Sequence, residues 1–531
     1  MNKTIIKTAV AALFSLPMLT SCELDQEPFD TITREESWSS VGDVHNHYNG
    51  LLDFVRASVG ADANQISDVQ TDLFNACAGA PAYMKEHSWT FTSAVFMGDA
   101  VWNFNYKVNM EANDMLEHVD AFYAQPNLSS SDKVILDQAK GVAFFCRALA
   151  YMNLVTRYAI DYETDGSAET ALGLPIVDKV DKTAKPARAT LQKTCDFIKE
   201  NLDSAKKYMV REFSINEPGP AALTALASRF YLYTHQYDQA IEAAKSLLSA
   251  YPLGRTEAEY RAMWLNDKSS ETIYQPIFTP DELGADNSLY LSYNPGQLTN
   301  GQIVVLFLTS QYVPTQGFID KFEEADFRNK LYFTCPYPTM NDDPDNFPGL
   351  SMLANQVGNG LGKPFCKFQG NRALLKNPND FVEALSKNYN MPKPFRIAEQ
   401  YLIIAEANLS KSGANEAEAR QYLNLLRKSR GASAIEDGVT GQELVQVMQD
   451  EWTREFAGEG KRLDCIKRWH QGVNRKAMRP QTFQHVYGKV LYDILPGFVD
   501  LNVEADNYKF VWELPQQDLM TNSNLVPNWK K

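Results

Sequence analysis

Apolar positions recur every three to four residues over much of the chain, and the pattern is clearest between Pro394 and Gly472. Ile397, Tyr401, Ile404 and Asn408 fall at helical spacing, with Ala405 beside them. Gly413 and Asn415 then break the pattern, and Ala419, Tyr422, Leu423 and Leu426 begin a second helical face. Leu444, Met448, Trp452 and Phe456 stand four apart and form one stripe of a third helix. Apolar stripes on neighbouring helices must bury against each other, so this stretch predicts a packed helical unit.

Four segments read as helix–turn–helix repeats of the tetratricopeptide kind. In Ala221–Gly254, small residues Ser228 and Ala240 let paired helices approach, and Pro252 ends the second helix. An earlier pair starts at Asp137, breaks at the polar loop 161–169 and Leu172-Gly173-Leu174-Pro175, and resumes with Leu191, Ile198, Leu202 and Ala205 inward. Arg396–Ser429 is a third repeat, with Ala405 and Ala417 in the small positions. Trp38–Val55 is a weaker fourth. Between 279 and 394, Gly, Pro, Asn and Asp dominate, after a strand expected over Glu271–Phe278. Tyr290, Tyr293, Tyr312, Tyr332 and Tyr337 stud this stretch and argue for ordered loops. The expected fold class is mostly α: a tetratricopeptide-like scaffold with a loop-rich, minor-β, ligand-binding lobe.

At the N-terminus, Lys3 and Lys7 precede an apolar run from Ala9 to Leu19 that is too short to span a bilayer. It ends Leu19-Thr20-Ser21-Cys22, which resembles a bacterial lipobox. Residues 1–21 are thus expected to be a lipoprotein signal peptide, with Cys22 the lipid attachment site and 22–37 a polar tether. Each buried acyl methylene contributes roughly 0.8 kcal/mol, so several chains hold a soluble body on a membrane. The remainder, 38–531, is expected to be a single domain. Its helical repeats cover about 38–270 and 394–472; its loop-rich lobe covers about 271–393 and 473–531.

A net charge of −15 over 531 residues argues against nucleic acid as a partner. Besides Cys22, the cysteines at 146, 195 and 465 sit in helical patterns and read as buried thiols. Cys335 and Cys366 lie in Pro/Gly-rich loops where a bridge is easier to form, and no pair has zinc-ligand spacing.

Catalytic constellations are missing from the sequence: it has no His-Glu-x-x-His, no Gly-x-Ser-x-Gly and no Walker loop. No cofactor is expected. Gly358-Asn359-Gly360-Leu361-Gly362 reads as a turn. His45-Asn46-His47 has no third metal ligand near in sequence, and Asn341–Asn346 offers hard oxygens for a structural calcium without EF-hand spacing. Sugar rings stack their C–H faces on flat aromatics while amides and carboxylates bond the hydroxyls. Loops 68–91 and 286–300 carry that mixture, so Asp68, Trp89, Tyr290, Tyr293 and Asn294 are the expected ligand-binding residues. Trp102, Trp452 and Trp469 fall in helical motifs and are expected in the core.

Several motifs carry a resemblance. Arg396-Ile-Ala-Glu-Gln-Tyr-Leu with Ala405-Glu-Ala, then Leu425-Leu426-Arg427 with Arg430-Gly431, then Glu455-Phe456, Glu459-Gly460-x-Arg462-x-Asp464 and Arg468 resemble the SusD/RagB family. Leu463 stands where that family usually has an aromatic. Trp102–Leu116, Arg147–Leu154 and the closing stretch Trp512–Trp529 resemble it as well, so the likeness spans nearly the whole chain.

The resemblance implies a non-enzymatic lipoprotein, anchored through acylated Cys22 in the outer-membrane lipid and exposed at the cell surface. It would capture oligosaccharides and deliver them to a SusC-like TonB-dependent transporter. A peptide-binding member of the family and, from another class, a surface glycan hydrolase are the alternatives.

Overall fold

Helices begin where the sequence supplies caps. In the computed structural model, which describes residues 36–76, 82–282, 285–299, 302–308, 310–333, 365–377, 383, 386–476 and 500–529, the amide of Asp132 donates to Ser129 Oγ across 3.1 Å at the head of a 29-residue helix. Thr190 caps the next helix through the Lys193 amide, and Pro220 stands in the first turn of the one after.

The helices are α1 (Val44–Ser58), α2 (Ala61–Val69), α3 (Met84–His87), α4 (Asp99–Tyr123), α5 (Ser130–Tyr158), α6 (Leu191–Tyr208), α7 (Pro220–Tyr233), α8 (Tyr237–Leu247) and α9 (Glu257–Leu265). Then come α10 (Gln316–Ile319), α11 (Phe327–Phe333), α12 (Ile397–Ser410), α13 (Glu416–Ser429), α14 (Gly441–Phe456), α15 (Arg462–Arg468) and α16 (Gln516–Thr521). Successive helices pack against each other in pairs, α4 on α5, α5 on α6, α7 on α8 and α12 on α13, as the repeat pattern predicts. The expected stripes are inside: Leu191, Ile198, Leu202 and Ala205 of α6, and Leu444, Met448, Trp452 and Phe456 of α14, are buried. Ser228 Oγ of α7 donates to Gln400 Oε1 of α12 across 2.6 Å, a close crossing that a larger residue would block. One small position differs from expectation. Ala417 is exposed and Ala419 is the fully buried one, because α13 turns its face two residues later than the repeat count places it.

Among the described residues, strands are short and paired in twos, all antiparallel. Phe74–Ala76 (β1) pairs with Tyr312–Pro314 (β8), and Leu172–Pro175 (β2) with Arg188–Thr190 (β3). Thr272–Tyr274 (β4) pairs with Phe395–Arg396 (β10), and Ala285–Asp286 (β5) with Tyr389–Asn390 (β9). Tyr293–Thr299 (β6) and Gln302–Leu308 (β7) form a hairpin, and Val473–Arg475 (β11) pairs with Leu501–Val503 (β12). The strand expected over Glu271–Phe278 is thus shorter, limited to the residues that reach β10.

Among the described residues, apolar burial falls into three clusters. Two belong to the helices. The third is the aromatic core of the loop-rich lobe, built from Phe74, Tyr260, Tyr290, Tyr332, Phe365 and Phe368 among others. The thiols of Cys146, Cys195 and Cys465 are free and buried, as expected. Cys366 is disulfide-bonded; Cys335 lies outside the described residues. Trp102 and Trp452 are core residues, and Trp469 is half-buried. Among the described residues, no helix is long and apolar enough to cross a membrane.

Candidate functional site

The charged residues of the Arg396–Arg468 stretch converge beneath the loop-rich lobe. Glu455, fully buried on α14, receives Arg396 Nη1 at 2.8 Å, Arg430 Nε at 3.0 Å and Arg328 Nη1 at 2.9 Å. Arg396 and Arg430 start and end the α12–α13 repeat, whereas Arg328 comes from α11 in the lobe. Arg396 also reaches Glu459, which accepts from the buried Lys367 at 2.5 Å. Burial opposes the ionised form of Glu455, but the three guanidiniums hold its carboxyl well below the usual range.

The turn that follows locks a second junction. Gly460 has φ +72°, and a Cβ there would lie 2.7 Å from Asn64 Cα of α2, so glycine is required for both reasons. Its amide donates to Asp68 Oδ2 at 2.9 Å, and Arg462 forks onto Asp72 with both bonds at 2.9 Å. Leu463, the departure from the family pattern, is buried in the main core.

This geometry brings both expected ligand loops together. β1 pairs with β8, Gln65 Nε2 donates to the Asp286 carbonyl at 2.8 Å, and the Phe74 and Tyr290 rings lie 4.7 Å apart. Three of the five expected contact residues, however, form the floor of that region and not its surface. Asp68 is fully buried beneath the Gly460 turn, and desolvation pushes its carboxyl up to about 7. Trp89 is 8% exposed, donates Nε1–H to the Gln70 carbonyl and lies edge-on to Phe510. Tyr290 is wedged among Phe74, Phe365 and Phe368. Trp89 and Tyr290 have their rings covered by neighbouring aromatics in this arrangement, and Asp68 is held inside by the Gly460 amide. Tyr293 and Asn294 open β6, opposite Leu308 and Phe307 of β7.

An exposed aromatic that the sequence reading passed over stands nearby. Tyr508 is 59% exposed and edge-on to Trp529 at 5.7 Å; Trp529 touches Phe91 and Phe96, and Val95 and Met97 beside Phe96 are exposed. The signal in sequence was Asn507 next to Tyr508 in a polar turn. His47, one of the paired imidazoles at 45 and 47, stacks on Trp38 at 3.7 Å, and no metal-binding group of acidic, His and Cys side chains occurs among the described residues. Cys22, Asn341–Asn346 and the 358–362 turn lie outside the described residues.

A cleft of about 90 Å³ separates α2 and α5 from the Met391–Pro394 turn and the Gly458–Lys461 loop. Arg157, Arg229, Lys461 and Asp464 line it. Burial, and next the charge of Arg229, pull the Lys461 ammonium down to about 8.

Two family models match the chain: the SusD family over residues 254–530, and one described as starch-binding associating with outer membrane over residues 24–232. SusD-like protein P2 of Formosa agariphila is 24% identical over 454 residues, covering 81% of this chain and 80% of its own. The starch-binding protein SusD of Bacteroides thetaiotaomicron is 31% identical over 134 residues, 25% of this chain and 20% of its own. A SusD superfamily crystal structure from Bacteroides thetaiotaomicron superposes with a TM-score of 0.69 at 20% identity, over 92% of this chain and all of the other. At that identity the superposition speaks for the fold alone.

Proposed function

The chain belongs to the SusD family, and from that premise we propose that it is a glycan-capture protein of the outer-membrane surface. It binds oligosaccharides without cleaving them and hands them to a SusC-like TonB-dependent barrel. The observation that carries this reading is the match of residues 24–232 to a family model described as starch-binding and outer-membrane-associated. Acylated Cys22 supplies the anchor in this reading, with the tether spacing a single domain over 38–531 from the membrane.

Capture asks for a surface that pairs an aromatic face with hydroxyl-bonding groups. Tyr508, exposed beside Asn507 and backed by the Trp529–Phe96–Phe91 stack, offers such a platform. The rigid aromatic floor under the loops means that a face of this kind is held in place before the ligand arrives, which lowers the ordering cost of binding. Affinity electrophoresis of the protein through gels containing single polysaccharides tests the proposal. Retardation by a polysaccharide without release of reducing ends supports it; unretarded migration in every gel, or release of product, overturns it.

A further inference from the structure

The loop between α6 and α7 turns apolar side chains outward although it is firmly held. Val210 is 72% exposed and Phe213 46%; Ile215, Val134 at the head of α5 and Ile277 after β4 are exposed as well. They form one patch. Val134, Val210 and Phe213 line a common groove with Val142, Met209 and Pro218. The Ile215 carbonyl accepts the Gln275 amide at 2.7 Å, which brings Ile277 alongside. The loop is pinned on both sides. Glu212 Oε1 accepts the Ala221 amide at 2.6 Å at the head of α7, and Glu217 Oε2 accepts from the Tyr48 hydroxyl at 3.0 Å. A Cβ on Gly141 would lie 2.7 Å from Met209 Cγ, so glycine in α5 lets the loop settle onto that helix. An exposed apolar cluster fixed in this way marks a contact surface.

Charge narrows what it contacts. The acidic side chains of this corner are engaged within the protein: Glu212 and Glu217 as above, Asp137 by the Tyr123 hydroxyl, and Asp132 in the cap of α5. Basic side chains rim the patch and are exposed. Lys133 precedes Val134, Lys206 and Lys207 close α6, and Arg211 stands between Val210 and Phe213. Apolar tips inside a basic rim suit the boundary between lipid headgroups and acyl chains, where the tips enter and the cations meet phosphates.

The path of the chain points the same way. The Trp38 ring lies 6.5 Å from Phe122, the neighbouring Tyr123 donates to Asp137, and Asp137 lines the groove. Cys22 precedes Glu36 by 36 − 22 = 14 residues. That is at most roughly 50 Å of extended chain. An acylated tether would therefore enter the domain at the end that bears the patch. We propose that this corner is a membrane-contact face: Val210, Phe213 and Ile215 dip into the bilayer boundary while the basic rim engages lipid phosphates. The proposal rests on the outer-membrane reading above and adds to the anchor a second, non-covalent contact that fixes how the domain lies on the surface.

The test is flotation of the full mature chain carrying Cys22→Ser with vesicles of phosphatidylcholine and phosphatidylglycerol. Without acyl chains, a failed contact is distinguishable from a failed anchor, and glycan retardation depends on neither. The expected result is a lipid-dependent floating fraction, with amide hydrogen exchange over 209–217 slowed by vesicles and that of α12 unaltered. Val210→Ser combined with Phe213→Ser, both at exposed positions, is expected to weaken vesicle binding about tenfold with an unchanged melting profile. Absence of a floating fraction, equal flotation of the double variant, or a patch covered by a second copy of the chain in sedimentation equilibrium overturns the proposal. The exchange comparison on the unsubstituted loop decides the matter even if the double variant does not fold.

Discussion

Arg328 donates to Glu455 across 2.9 Å with both side chains fully buried, and it pairs with Glu451 one turn earlier at 2.7 Å, so the loop-rich lobe is joined to the helical scaffold at the centre of a larger ion network. Removing one partner of such a pair strands the other charges in a dry interior. Glu455→Ala, which leaves Arg328, Arg396 and Arg430 without their shared carboxylate, is expected to cost about 3–5 kcal/mol in urea denaturation. Arg328→Met should act more locally. Hydrogen exchange is expected to speed up in 310–333 and 365–377 while α12 and α13 keep their protection; uniform acceleration across the chain would contradict the junction role.

Acid should unfold the protein through the same network. Burial pushes the Glu451 carboxyl up, but Arg328, Arg454 and Arg427 outweigh it and hold it at about 2, against an ordinary 4.5. Above pH 4.5 both folded and unfolded states carry the charge, and the stabilisation is complete. As pH falls from 4.5 towards 2 the unfolded state takes the proton first, so stability is lost, by up to ~3 kcal/mol from this group. Melting temperature measured between pH 7 and pH 3 should fall over that window, and Glu451→Gln should start lower and fall less.

Asp68 runs the other way. Desolvation raises its carboxyl from 3.8 to about 7, so the folded state keeps the proton where the unfolded state has lost it. Its contribution therefore declines as pH rises from about 4 to about 7. Asp68→Asn keeps an acceptor for the Gly460 amide and never ionises. It is expected to stabilise the protein by about 1–3 kcal/mol at pH 8 and to change nothing at pH 4. Equal effects at the two pH values would show that Asp68 does not titrate in this range.

The residue types of the ion network were legible in sequence, but their partners were not, since Arg328 and Glu455 lie far apart along the chain. The helices were legible because a buried stripe repeats at the helical period, and α6 and α14 bury the residues that this period selects. Contact residues were harder. An aromatic in a polar loop reads the same whether it faces solvent or closes over a second core. Trp89 and Tyr290 do the latter, because Phe510, Phe74 and Phe365 arrive from distant segments to cover them. Tyr508 stays outside for want of such a cover.

Substitution separates these roles. Trp89→Ala is expected to cost about 3–5 kcal/mol, as a large buried aromatic does. The Tyr290 hydroxyl has no hydrogen-bond partner among the described residues, so Tyr290→Phe should shift stability by less than about 1 kcal/mol and leave ligand binding unaltered. Tyr508→Ala should leave stability within about 0.5 kcal/mol of wild type. In the same variant, affinity for the captured glycan should fall about tenfold. Chemical denaturation and calorimetry on the three variants check this, and unchanged glycan binding in Tyr508→Ala would remove the platform from the account.

The most direct test of glycan capture is isothermal calorimetry of the purified protein against a panel of soluble polysaccharides and their oligosaccharides, with each mixture assayed for released sugar. The account predicts saturable binding to at least one glycan and no released product. Release of product, or no heat of binding with any member of the panel, would contradict it.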